Sequence, residues 1–179
     1  MSRLIYSAAM SLDGFIAGPD GDMSWMTPYA GPNPEVDDLQ RDIGALLIGN
    51  RTFHGDDPNK GTDAEGAFGG TWEGPSFVLT HDVDQEPAEG VTFVGDLATA
   101  VSAARAAVGD GYVCILGADV ARQCLEAGEL DEILVMVLPV LLGDGTPLFA
   151  VPGGRNVPLE TVSVTPLPVG FNVWMRVPR

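Results

Sequence analysis

The chain has 179 residues, 25 acidic side chains against 9 Lys and Arg, and a formal net charge of −16 at pH 7, with Lys60 its only lysine. That length suits one domain with a substantial core, and 45% apolar residues argue against disorder. The acidity repels polyanions and reads as a strongly hydrated surface, which weighs against nucleic-acid partners, and no apolar run approaches the ~18 residues of a membrane helix.

The N-terminal stretch MSRLIYSAAMSLDG has one Arg, a short apolar run and no convincing secretory cleavage pattern. It reads as the first strand, residues 3–10, of a cytoplasmic protein. Small Ala8 and Ala9 let a flat ring lie close to that strand. Asp13 follows in an Asp-Gly pair, the commonest of turns, and gains chemical interest only if the turn folds over a pocket. The turn-rich segment DGFIAGPDGD encloses the short apolar piece Phe15–Ala17.

In NPEVDDLQRDIG, Asn33 suits an N-cap and Pro34 the first helical position, while Val36, Leu39 and Ile43 share a helical face. Gly44 is expected to end this helix before the strand ALLIG. At the strand's end, Gly49, Asn50, Arg51 and Thr52 open a helical turn. Backbone N–H groups there can hold phosphate, with Arg51 adding charge; a glycine turn followed by an N-capping Thr fits equally well. Residues 55–75 form a long Gly- and Asp-rich stretch, and loops of that length usually carry a purpose, here a lid or a partner contact.

The strand SFVLT stops at Thr80 and His81, which either meet a phosphate or adenine or form a plain Thr/Asp turn. VTFVG is a further strand. DLATAVSAARAAVGDG reads as a helix capped by Asp96, striped by Leu97, Val101, Ala104 and Val108, and ended by Gly109. The strand YVCIL then runs into a helix over residues 119–127, with Gly117, Ala118, Asp119 and Val120 offering free N–H groups. Asp119 is also able to cap that helix, in competition with an anion. Beyond residue 130 the helices cease. DEILVMVLPVLLG is long and β-rich, with Pro139 marking a bulge or an edge, and LETVSVTPL and FNVWMRVP follow across short turns that require antiparallel pairing. Cys114 and Cys124 lack CxxC spacing and read as small core residues, so no metal is expected. No Ser-His-Asp spacing, HExxH or Walker pattern is present.

Taken in order, MSLDGFIAG, LLIGNRTF, FVLTH, LGADVARQCLEAGELDEI and PVLLGDGTPLF resemble the dihydrofolate reductase superfamily over residues 3–177. The nearest part is the reductase domain of riboflavin biosynthesis and its stand-alone relatives. The resemblance implies a three-layer α/β dihydrofolate-reductase-like fold over residues 1–179, with a mixed sheet, parallel in its core and antiparallel at its C-terminal edge. It implies hydride transfer from NADPH, NADH also being possible. Ala9 and Ile16 would contact the nicotinamide carboxamide through their backbones. Residues Gly49, Asn50, Arg51 and Thr52 would hold the phosphates nearest the adenosine, Thr80 and His81 would line the adenosine side, and Gly117, Ala118, Asp119 and Val120 would take the pyrophosphate.

This chain also departs from the pattern. Asn50 follows Gly49 where relatives often carry Arg, and Asp82 stands where they often carry a basic residue; both changes weaken the case for a bound 2′-phosphate. Leu116 replaces the first glycine of a Gly-Gly pair that dihydrofolate reductases join by a cis peptide; a trans bond is expected here, since a non-proline cis bond costs about 3 kcal/mol. The acid that those enzymes carry on the first helix falls at Val36, flanked by Glu35 and Asp37. Asp13, near the sugar phosphate in riboflavin-type domains, and Asp37 are the expected catalytic acids. Trp25 is placed at the substrate side of the pocket mouth, or simply packs its loop onto the core. The expectation is a reductase of a small heterocyclic or ribosylaminopyrimidine-like substrate, not of folate. The alternative is a non-catalytic or altered-cofactor binder, for flavin or deazaflavin, on the same fold. A homodimer paired through residues 135–142 is expected.

Overall fold

The computed structural model describes residues 2–86 and 88–178. The described elements run β1 (Arg3–Ser11), β2 (Phe15–Ala17), α1 (Pro34–Asp42), β3 (Ile43–Gly49), α2 (Asn50–Phe53), α3 (Ala67–Gly70), β4 (Ser76–Leu79), β5 (Val91–Val94), α4 (Leu97–Val108), β6 (Tyr112–Leu116), α5 (Ala118–Glu126), β7 (Glu132–Leu138), β8 (Thr146–Pro147), β9 (Glu160–Pro166) and β10 (Phe171–Arg176). Two 3-10 helices, Pro19–Gly21 and Ser24–Tyr29, lie between β2 and α1.

The main sheet has the order β5-β4-β3-β6-β1-β7-β10-β9. The first six strands are mutually parallel, and β10 pairs antiparallel with both β7 and β9. Strands buried on both faces read as near-continuous apolar runs, and β3, β6 and β7 do so. One face of the sheet packs α4 and α5 through Leu4, Leu47, Val113, Ala100, Ala104 and Val120. The other packs α1 through Ile5, Leu46, Cys114 and Leu39. Cys114 and Cys124 are buried in these layers, and burial pushes each thiol up to about 12.

The helix caps follow the sequence. Asn33 Oδ1 accepts from Val36 N at 3.3 Å and Asp96 Oδ1 from Thr99 N at 2.9 Å, each relieving an orphan donor of the first turn. Gly109 ends α4 at φ +71°. Gly44 does not stop α1, because β3 already begins at Ile43 and the register with β6 shifts between Ile43 and Ala45. A Cβ at Gly44 would press on Val108 at 3.1 Å, so glycine lets α4 lie close to the strand.

β7 ends at Leu138, immediately before Pro139, since proline offers no N–H to the ladder. β7 also lies between β1 and β10 with both edges hydrogen-bonded. Residues 135–138 of the segment expected to pair with a second copy therefore have no free strand edge. No helix among the described residues is long and apolar enough to cross a membrane.

Candidate functional site

The carboxyl ends of β4, β3, β6 and β1 lie side by side. At the usual spacing of adjacent strands they span about 15 Å. In open α/β sheets, ligands collect outside such ends. The motifs that close these strands are far apart in sequence and adjacent here.

Centrally, β3 and β6 end in register, Ile48 opposite Leu116. Gly117 then turns with φ +111° and serves as the N-cap of α5, which starts at Ala118, one residue earlier than the sequence suggests. A Cβ on Gly117 would collide with Thr52 Oγ1, and one on Gly49 would meet Val120 Cγ2 at 3.2 Å. Residues 49–52 and 117–120 thus interlock. Thr52 lies inside α2 and Gly49 is its N-cap, so the reading of Thr52 as a capping residue is set aside.

No side chain caps α5. Asp119 accepts instead from Arg122 Nη2 at 2.7 Å and Gln123 Nε2 at 2.8 Å, and chiefly the Arg122 bond holds its carboxyl below the usual range. Asp119 therefore does not compete with an anion, and the first N–H groups of α5 remain open. Arg51 is exposed and forms no ion pair among the described residues. Its positive charge is among the lesser influences that lower the Asp119 carboxyl. The Leu116–Gly117 bond is trans, and Leu116 packs into the α1-side core.

At the β4 end, Thr80 is buried and His81 and Asp82 are exposed. Gln85, which sequence reasoning missed, is the hub. Its Nε2 lies 2.9 Å from Asn50 Oδ1, 3.0 Å from Thr80 Oγ1 and 2.9 Å from the Asp82 carbonyl. No sequence signal marks Gln85, because its role depends on how residues 81–86 fold back. Asp82 Oδ1 accepts from Asp84 N at 3.3 Å, a local turn bond.

At the β1 end, half-buried Ala9 pairs with Met136, and half-buried Ile16 lies in β2. β2 pairs with β8, so the DGFIAG and GDGTPLF motifs form one flap. A Cβ on Gly145 would strike the Ala17 carbonyl, so the flap closes only over glycine. Asp13 is its latch. Its carboxylate accepts from Ser11 Oγ at 2.6 Å, Leu142 N at 3.1 Å and Gly143 N at 2.7 Å. The Ser11 bond first, with help from the two amides, holds its carboxyl below the usual range against the opposing effect of desolvation. Asp13 is thus a carboxylate engaged by three donors within the flap.

Asp37 is exposed and borders a surface groove with Gln40 and Arg41. At ~100° per residue it lies across the helix from Glu35. Glu35 is the acid that α1 turns to the sheet, accepting from Ser163 Oγ at 2.8 Å, Thr165 Oγ1 at 3.2 Å and Asn172 Nδ2 at 2.8 Å. Beside it, Asn33 and the fully buried Asn172 exchange amide bonds at 3.0 and 2.8 Å. Trp25 sits in the 3-10 helix Ser24–Tyr29 with its Nε1 buried and without a hydrogen-bond partner. The 55–75 stretch is pinned by Met23 N to Asp56 Oδ2 at 3.2 Å, by Gln40 Nε2 to Thr71 Oγ1 at 2.8 Å, and by Phe68 and Trp72 in the α1-side core.

The residues present fit a dinucleotide in their chemistry: the uncapped N-terminus of α5, with the exposed cation Arg51 on the neighbouring turn, suits a diphosphate. No group of His, Cys, Asp and Glu among the described residues is arranged to hold a metal.

Comparison with known proteins agrees with this geometry. The chain is 27% identical over 149 residues to the uncharacterized protein YwjB of Bacillus subtilis, covering 82% of each. A Shewanella sp. PV-4 protein named for riboflavin biosynthesis superposes with a TM-score of 0.79 at 22% identity, covering 99% of both chains. Dihydrofolate reductase of Enterococcus faecalis, solved with NADP(H), superposes with a TM-score of 0.68 at 18% identity, covering 98% of this chain and 95% of that one. The family described as the RibD C-terminal domain matches residues 2–173. With its α/β fold and paired glycine turns at the sheet's carboxyl edge, the chain belongs to the RibD C-terminal domain family.

Proposed function

We propose that the protein is a nicotinamide-dinucleotide-dependent reductase of a small heterocyclic, ribosylaminopyrimidine-like substrate. The observation that carries this is the uncapped N-terminus of α5, whose Gly117 packs directly against Thr52 and so brings residues 49–52 beside it. When bound, the cofactor supplies a hydride to a C=N or C=O carbon. Backbone amides of residues 118–120, aided by the α5 dipole and Arg51, hold the diphosphate. Ala9 offers a flat wall for the nicotinamide, and the flap latched by Asp13 covers it. The Trp25 indole N–H, buried and unpaired, is a donor available to substrate, since leaving it unsatisfied costs about 1–3 kcal/mol. Glu35, bonded to three neutral donors, fixes α1 beside the substrate space.

Thermal melting with added ligand tests the reading. A ligand at a hundredfold its Kd stabilises by about 2.7 kcal/mol, several degrees for a chain of this size. NADH or NADPH should produce that shift, and oxidation of the cofactor with candidate pyrimidines should follow. No shift with either at about millimolar concentration removes the reading, and a shift with a flavin or deazaflavin alone replaces it.

We also infer a homodimer. Val164 and Phe171 are 60% and 38% exposed on the sheet face that carries Val173, and a second copy of the chain is the partner proposed for them.

A further inference from the structure

We propose that the adenosine end of this groove selects the free ribose 2′-hydroxyl of NADH over the 2′-phosphate of NADPH, an inference that rests on the dinucleotide reading above. With the diphosphate at Gly117 and Thr52 and the nicotinamide toward β1, the other nucleoside lies over the ends of β3 and β4. That end is built by Asn50, Thr80 and the segment 81–86. Gln85 fixes the segment there, since its amide ties Asn50 Oδ1, Thr80 Oγ1 and the Asp82 carbonyl together.

The surface so fixed is acidic. Asp82, Asp84 and Glu86 are exposed. From residue 80 to residue 89 the chain has no Lys or Arg. The ordered polar atoms at the strand ends, Asn50 Oδ1 and Thr80 Oγ1, both serve as acceptors. Arg51, exposed next to Asn50, is the neighbouring cation, and the dinucleotide reading assigns it to the diphosphate. A phosphate monoester carries about −1.5 to −2 charge at pH 7. Apart from the exposed imidazole of His81, it would find carboxylates and acceptors where it needs cations. A ribose diol donates, and carboxylates are the usual partners of a free 2′-hydroxyl, whereas a 2′-phosphate is usually met by Arg. The overall charge of −16 acts in the same direction.

Calorimetric titration of the full chain with NADH and with NADPH tests the inference. NADH should bind about tenfold more tightly at low salt, and the gap should narrow from about 20 to about 200 mM salt as repulsion is screened. Asp82→Asn should narrow it at constant salt, and Asp82→Arg should raise NADPH affinity about tenfold while changing NADH little. Equal or tighter NADPH binding, or Asp82 variants that move both affinities alike, overturns the preference and leaves the dinucleotide reading standing. Binding of neither cofactor by a chain whose circular dichroism is native overturns both.

Discussion

At Gly117 the backbone turns with φ +111°, and the Thr52 hydroxyl holds the space that a Cβ would fill. A side chain there both strains the turn and forces α2 from α5. Gly117→Val should abolish the cofactor-induced rise in Tm and lower the unliganded stability by about 1–3 kcal/mol, read by melting with and without NADH. Asp13 makes a different prediction. Its folded pKa is depressed, so the stabilisation it contributes is complete above the unfolded carboxylate pKa of about 3.9 and fades as pH falls through the lower folded value. Asp13→Asn should therefore flatten the acid limb of a Tm-against-pH curve and leave the neutral region nearly level. A steep unchanged acid limb would show that other carboxylates govern it. Both residues stood out in the sequence through their motifs. Their contacts did not, because Thr52 and Leu142 are distant in the chain and adjacent only across strand ends.

Among the elements, α1 shows how a helix is aimed. Asn33 and Pro34 fix its start in the sequence, while the acid that faces the sheet follows from the helix's rotation about its axis. Leu39 is the buried residue of α1, and the i, i+4 relation brings Glu35 to the same side. The sequence count from Pro34 left Glu35 and Asp37 as equal candidates because it holds no information on that rotation. The Asn33–Asn172 pair then joins α1 to β10 deep in the molecule. Asn172→Ala removes both bonds between the two amides and leaves the buried Asn33 Nδ2 only Met136 Sδ at 3.5 Å. It should lower stability by about 1–3 kcal/mol, measured as a drop in urea midpoint with an unchanged m-value. Glu35→Gln, which keeps a hydrogen-bonding group in place, should be milder. An Asn172→Ala midpoint within error of wild type would mean that water takes over the lost bonds. The long stretch 55–75 was legible as a loop from its Gly and Asp content, whereas its anchoring through Phe68 and Trp72 depends on the α1-side core being there to receive them.

For the molecule as a whole, the change from parallel to antiparallel pairing sets which surface is left over. Helices α4 and α5 follow the parallel strands and cover one face of them. The C-terminal strands have no such crossover, so Val164 and Phe171 stay exposed. Val164→Asp with Phe171→Asp should yield a monomer mass by light scattering where the native chain gives a dimer. A monomeric native chain would remove that proposal. The order of elements, the caps at Asn33 and Asp96, the mixed sheet and the glycine turns after β3 and β6 were determined by the sequence alone, because each rests on local periodicity, backbone freedom or motif order within one stretch of chain. Only the tertiary structure decided that β7 is interior, that Asp13 latches a flap, that Glu35 and not Asp37 meets the sheet, and that Gln85 ties an acidic segment to the end of β4. Each of these depends on which groups meet across neighbouring strands, and that is set by the joint packing of both faces of the sheet.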